Sequence, residues 1–231
     1  KKRKFNYLFV INPETIGSIC FIHKNLEYLK NKLISGVVLT CLGGPEKKLS
    51  YKLSREGNSL FDKYFTRAAK NKKINIRKFE TNGSDERQYC SSECNLPVGQ
   101  LARTVYGRNK EYHTSADNKE FVKLRSFKGT ANEIFKFFQD NEKKDFIRRK
   151  QPYCEMQLGK RNLYPNINSP NTWEDSSDKI LNSHDQLNII NTILSVADGK
   201  IALSDVVFDK KYNYKKIRSI FIKLKKKGLI Y

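Results

Sequence analysis

Apolar residues in this chain gather in short, nearly continuous runs, separated by stretches in which they recur at helical spacing. Phe5 to Ile11 (Phe-Asn-Tyr-Leu-Phe-Val-Ile) is β-branched, aromatic and almost uninterrupted, which predicts a buried strand. Asn12-Pro13-Glu14-Thr15 ends it, and Ile19, Ile22, Leu26 and Leu29 then mark one face of a helix from about Ile16 to Lys32. Ile34 to Leu42 reads as a second buried strand next to the first, stopped by Gly43-Gly44-Pro45. Leu49 to Leu53 reads as a short edge strand, and Asn58 to Lys70 as a basic helix burying Leu60, Phe61, Tyr64, Phe65 and Ala68. Ile74 to Phe79 alternates as a half-buried strand does, and Leu96 to Leu101 is another strand. Ala131 to Phe146 is amphipathic through Ile134, Phe135, Phe138 and Phe146. Strands alternating with helices predict an α/β domain with a mainly parallel sheet flanked by helices.

The pattern changes at Gln151 to Ser176, where Pro152, Pro165 and Pro170 with several Asn residues predict an irregular connection. Within it, Cys154 to Arg161 is mixed enough to pack back onto the sheet. The boundary is therefore drawn between residues 1–176 and 177–231. The second part has a grammar of its own. Leu187, Ile190, Leu194 and Ala197 make a helix ended by Asp198-Gly199. Leu203 to Phe208 makes a second helix, and Ile217, Ile220, Phe221 and Leu224 a third, ended by Gly228 and followed by Leu229-Ile230-Tyr231 as a strand. Three such helices and a strand predict a small C-terminal winged helix.

A net charge of +21 suggests nucleic acid, but Lys outnumbers Arg by 33 to 12, and Asn is as frequent as 21. That is a general compositional bias, whereas base-reading surfaces favour the bidentate Arg fork. The third tail helix carries Lys215, Lys216, Arg218, Lys223, Lys225, Lys226 and Lys227, with Asn213 its one amide at the N-terminal end. The expectation is weak, non-specific nucleic-acid binding at most. No run approaches the roughly 18 apolar residues of a membrane span, and no signal peptide is visible. Five Cys at no framework spacing point to reduced thiols and a cytoplasmic setting.

Candidate chemistry concentrates between Gly83 and Asn118. Asp85, Glu86 and Arg87 follow a turn glycine, and His113 stands among Glu111, Tyr112 and Asp117. A neutral imidazole is a common metal ligand and general base. By residue type alone, Glu14 is also a first-turn acid at a helix N-terminus, and Asp85 with Arg87 is equally a local ion pair around a turn. Cys90 and Cys94 offer a further, sparse zinc set with His113. In a parallel sheet, ligands gather at the carboxyl ends of strands, and Glu14, Gly43, Asp85 and the His113 loop each follow such an end.

Three ordered motifs carry a resemblance: Asn-Pro-Glu-Thr-Ile-Gly-Ser (12–18), Gly-Ser-Asp-Glu-Arg-Gln-Tyr (83–89) and Glu-Tyr-His-Thr-Ser-Ala-Asp-Asn (111–118). They resemble a bacterial family with an aminopeptidase-like domain and a C-terminal winged helix, similar to the zinc aminopeptidases of metallopeptidase family 28. The resemblance implies a zinc-exopeptidase-like fold and amide hydrolysis of a peptide or related substrate by a metal-activated water. It implies Glu14 as the catalytic base, His113 as a zinc ligand, and Asp85, Glu86 and Arg87 beside the metal or the substrate. The chain departs from that pattern at Thr15, where the zinc aminopeptidases have a second acid, and at Gly43-Gly44-Pro45, where they have a metal-binding Asp, Glu46 being the nearest acid. Their first His and bridging Asp lie upstream of Phe5. The chain thus looks like the C-terminal part of a longer protein, expected to be silent alone and, with its sheet uncovered, to self-associate. Degeneration to a non-catalytic scaffold is the other outcome of the same pattern.

Overall fold

A computed structural model describes residues 3–71, 74–152, 156–164, 183–210 and 212–231. It divides into two compact units, Lys1–Glu142 and Lys143–Tyr231. The division falls earlier than the sequence boundary at 176/177, which itself lies outside the described residues, as do Cys154 and most of the irregular connection.

The first unit begins with an irregular segment leading to α1 (Ile16–Lys32), β1 (Gly36–Thr40), β2 (Leu49–Lys52), α2 (Leu60–Lys70), β3 (Ile74–Arg77), α3 (Glu86–Tyr89), β4 (Val98–Ala102) and α4 (Leu124–Lys143). The four strands form one sheet in the order β1-β4-β2-β3. β1 is parallel to β4 and β2 to β3, while β2 and β4 are antiparallel. Helices flank a parallel-dominated sheet, as the alternation of apolar runs requires.

Four expectations are corrected. Phe5 to Ile11 is not a buried strand: residues 6–11 carry no strand pairing, and Leu8, Phe9, Val10 and Ile11 are exposed. Its apolar run encodes burial on both faces, but no described segment pairs with it. β1 is accordingly an edge strand rather than an interior neighbour. β2 is the reverse case, an interior strand between β4 and β3 whose four residues are all buried. Its charged Lys52 is accommodated there because Glu86 pairs with the ammonium. Finally, α4 begins at Leu124 and Phe146 belongs to a strand; on α4, Phe137 is buried and Phe135 exposed.

The core between β2, α2 and α4 is aromatic. Phe61 stacks on Phe137 at 3.7 Å between ring centroids, and Tyr51 lies 4.4 Å from Phe65. Asp62, fully buried, ties α2 to β2. Its carboxylate accepts the Tyr51 hydroxyl and the Ser54 and Ser59 N–H groups, each at 2.9 Å, and completes a capping box with Ser59. Burial, and then the Asp62 charge, push the Tyr51 hydroxyl well above the usual tyrosine pKa. On the other side, Ile22 and Leu29 of α1 pack with Tyr89, Leu96 and Val98, which fixes the position of the helix and of the loop that enters it.

The second unit contains β5 (Phe146–Arg148), α5 (Ser183–Ser195), β6 (Asp198–Ala202), α6 (Leu203–Lys210) and α7 (Tyr214–Lys226). β5 pairs antiparallel with β6, and Arg149 bridges Ile230, so the terminal residues close a small sheet. Asp198-Gly199 does end a helical stretch, but it opens a strand. Ile217, Ile220, Phe221 and Leu224 of α7 are buried as the periodicity predicts. Met156 and Leu158, from the stretch that the sequence assigned to the sheet, join this core instead, as does Leu163. Among the described residues no helix is long and apolar enough to cross a membrane.

Candidate functional site

The loop into α1 is the most constrained piece of backbone in the first unit. Pro13 and Glu14 lead to Thr15, whose φ of 63° and ψ of −73° place a β-branched residue where L-residues seldom go. The Ile16 N–H closes the turn on the Glu14 carbonyl at 2.8 Å, a γ-turn of the rarer, strained hand. Such a conformation persists only when its surroundings over-determine it. Here the surroundings are the loop before α3. Asp85 Oδ1 accepts the Thr15 N–H at 2.6 Å, and the Ser84 hydroxyl donates to Glu14 Oε1 at 2.5 Å. Two adjacent residues therefore grip two adjacent residues, and the exposed Glu14 carboxylate is aimed by the grip.

The gripping loop is itself pinned from beneath. Lys52 Nζ, at the end of β2, forms an ion pair with Glu86, both side chains being wholly buried. It also donates to the Asn82 carbonyl at 2.5 Å and to the Glu80 carbonyl at 3.4 Å. Gln100 of β4 donates to the other Glu86 oxygen at 3.0 Å. This pinning replaces the topological argument made from sequence. Since β2 and β3 run against β1 and β4, the carboxyl end of β3 lies at the opposite rim, and Asp85 reaches Thr15 through the returning loop.

The third motif approaches from beyond β4. The Tyr112 hydroxyl is pushed upward in pKa by burial, then by the charges of Cys41, Glu14 and Tyr106. Tyr112 also lines a cavity of about 220 Å³ at the end of β1, with Cys41, Thr104, Asn109 and Asp117 among its walls. His113 is exposed and stacks on Tyr112, the rings 3.9 Å apart and 18° from parallel. Thr15, Cys41 and His113 all have positive φ, so this region gathers three of the five such non-glycine residues described.

The structure joins the first two sequence motifs by hydrogen bonds, with unequal results for the residues named in them. Glu14 and Asp85 are linked through Ser84 and the Thr15 N–H, whereas the contact described for His113 is its stacking on Tyr112. Glu86 is buried beneath the loop, where it positions Lys52 and Gln100 and faces no solvent. Arg87 is exposed on α3. Cys90 is a buried thiol donating to the Leu96 and Val98 carbonyls at 3.4 and 3.1 Å, and burial raises its pKa; these are the contacts of a packed thiol, not of a metal ligand. Sequence reasoning assigned nothing to Ser84, Tyr112 or Lys52. The first two stand inside the quoted motifs, whereas Lys52 was signalled only by a lysine set in an apolar strand. Among the described residues no three His, Cys, Asp or Glu side chains stand close enough to hold a metal ion. A catalytic zinc takes about three protein ligands, and the described residues by themselves do not fit one.

Comparison with known proteins gives the arrangement its context. Residues 1–144 match the model of a family described as a domain of unknown function, DUF4910. The chain belongs to that family. Residues 145–231 match a winged helix-turn-helix family, in agreement with the start of the second unit. A curated relative from Clostridium acetobutylicum, provisionally named a polysaccharide biosynthesis protein with aminopeptidase-like domain, is 32% identical over 219 residues. The match takes in 94% of this chain and 48% of the relative. A crystal structure of a provisionally named peptidase from the same organism superposes with a TM-score of 0.57 at 28% identity, over 95% of this chain and 46% of that one. The DUF4910 chain therefore has an aminopeptidase-like fold and spans about half the length of the relatives it matches.

Proposed function

We propose that the chain forms one wall of an aminopeptidase-like hydrolytic site acting on an amide, peptidic or otherwise, and is catalytically silent alone. The observation that carries this is the grip on Glu14. A strained γ-turn, held by Asp85 and Ser84, presents a carboxylate to solvent, and a first-turn acid serving only its own helix needs no such device. Ser84 occupies one carboxylate oxygen, and the other is left to take a proton from an attacking water. His113, which the resemblance names as a zinc ligand, is proposed as a metal ligand contributed by this wall. Zinc is the metal implied by the resemblance, and the further ligands must come from polypeptide outside this chain.

The test is zinc stoichiometry and aminopeptidase turnover on the purified chain, with Glu14→Gln and His113→Ala as controls. The expected result is zinc well below one per chain and no turnover. Stoichiometric zinc, with turnover abolished by Glu14→Gln, would show the chain to be a complete enzyme.

The winged helix supports a second, weaker activity. Lys215, Arg218, Lys225, Lys226 and Lys227 are exposed on or just after α7. Asn213 is already engaged, because its side chain accepts the Lys215 and Lys216 N–H groups as the helix cap. Arg218 is then the main base-reading candidate on this face, and the proposal is phosphate contact without sequence preference. Duplex DNA of unrelated sequences should bind with similar affinity, falling steeply as salt rises. Tight binding to one sequence that survives physiological salt would contradict it.

A further inference from the structure

The segment before α1, in neither helix nor strand, is anchored at both ends and exposed in the middle. At one end the Lys4 N–H and the Tyr7 hydroxyl donate to Glu142 at 2.8 and 2.6 Å, and the Tyr7 ring lies 4.6 Å from Phe138. At the other, Asn12 Nδ2 donates to Ser18 Oγ at 3.1 Å, and the Glu14 grip follows. Between them Leu8, Phe9, Val10 and Ile11 are 65%, 78%, 39% and 99% exposed. Among the described residues no hydrogen bond engages the main chain of 8–11.

Four consecutive apolar residues would, once drawn into a strand, place apolar groups on both faces, the pattern of a strand buried within a sheet. A solvated loop between two fixed ends needs none of this. β1, which follows α1, has a second open edge: it pairs with β4 alone, and Leu39 on it is 48% exposed. Ile16 and Ile19, on the first turns of α1, are exposed as well. Unpaired main chain flanked by apolar surface is a template for strand addition.

We infer that residues 8–11 dock a β-strand from the other half of the aminopeptidase-like domain, the half carried by the relatives and not matched by this chain. The relatives' length supports this occupant, since this chain accounts for only 48% of one and 46% of the other. The docked strand pairs with the main chain of 8–11 and covers Phe9 and Ile11, turning the segment into an interior strand. The segment runs directly into Glu14, so docking places the incoming half beside the gripped carboxylate. The inference rests on the fold in the reading above and not on its chemistry.

The chain is co-expressed with the part of the Clostridium acetobutylicum relative that it does not match, and purified through a tag on that part. The two should co-purify, with the amides of 8–11 exchanging at least about tenfold more slowly than in the chain alone. Val10→Pro removes a main-chain donor and Ile11→Lys puts a charge where the strand must lie. Each should cut co-purification at least about tenfold while leaving the melting of the chain alone unchanged, because 8–11 supports nothing in it. Absence of co-purification, or a complex in which 8–11 exchanges freely, overturns the inference. Protection in the chain alone that grows with its concentration also overturns it, assigning the strip to a second copy. A protected complex that neither holds zinc nor hydrolyses amides would leave the docking intact and sink the hydrolase reading.

Discussion

Replacing Lys52 by Met is expected to destabilise the first unit by about 3–5 kcal/mol, the usual consequence of leaving one member of a buried ion pair uncompensated. The side chains of Lys52 and Glu86 have no exposed surface, so water cannot take over the charge left behind. Lys52 also holds the Asn82 and Glu80 carbonyls, and Met offers neither a donor. Denaturant midpoints measure the loss. In the double variant Lys52→Met with Glu86→Leu, most of the stability should return, since apolar replacement of a buried pair is often neutral. The loop should recover only in part, because the Asn82 carbonyl then keeps the Tyr106 hydroxyl at 2.9 Å but has lost the ammonium, and the Glu80 carbonyl has lost it too. The Thr15 amide, protected by Asp85, should exchange faster in the double variant than in the native chain. A single variant costing under about 1 kcal/mol would mean that the pair is solvated after all.

That outcome also bears on what could be read from the sequence. α1, α2 and α7 were legible because each is decided locally by apolar positions at helical spacing, although Ile19 on the marked face of α1 stays exposed. The winged helix followed from three such helices and a terminal strand. The first strand was not legible, although Phe5 to Ile11 carries the clearest apolar run in the chain. A run states that burial is needed and says nothing of what provides it, and among the described residues nothing does. β2 failed in the opposite way, since Lys52 looks like an edge residue until Glu86, 34 positions later, is known to meet it.

The site divides along the same line. Glu14, Asp85 and His113 were named through motifs, and the motifs of the first two are joined by hydrogen bonds. The parts that hold them together are long-range: Ser84 on Glu14 and Asp85 on Thr15 each join residues 70 apart. No local pattern encodes those contacts. Nor does periodicity reveal that Thr15 is strained, because the strain is a property of the turn that Asp85 holds closed.

The position of Gly44 allows the absent ligand to be tested directly. In the zinc aminopeptidases that the chain resembles, this loop carries a metal-binding Asp, and Gly44→Asp is the obvious attempt to restore it. We expect the substitution to destabilise the first unit by more than about 3 kcal/mol, from overpacking together with an unpaired buried charge. Gly44 is buried, and a Cβ there would overlap the Thr104 side chain at both Oγ1 and Cβ. Thr104 cannot simply turn aside, since its hydroxyl is bonded to the Glu46 carboxylate and its N–H to the Cys41 carbonyl. The nearest Glu46 oxygen lies 3.2 Å from the added Cβ, so a new carboxylate would also meet a charge of its own sign. Thr104→Gly in the same chain should relieve the overlap but not the repulsion, recovering part of the stability. Melting temperatures of the single and double variants, with zinc titration of each, decide the matter. A Gly44→Asp chain that melts like the native one and binds zinc stoichiometrically would show that the loop still accommodates a ligand and that a single residue had removed the site.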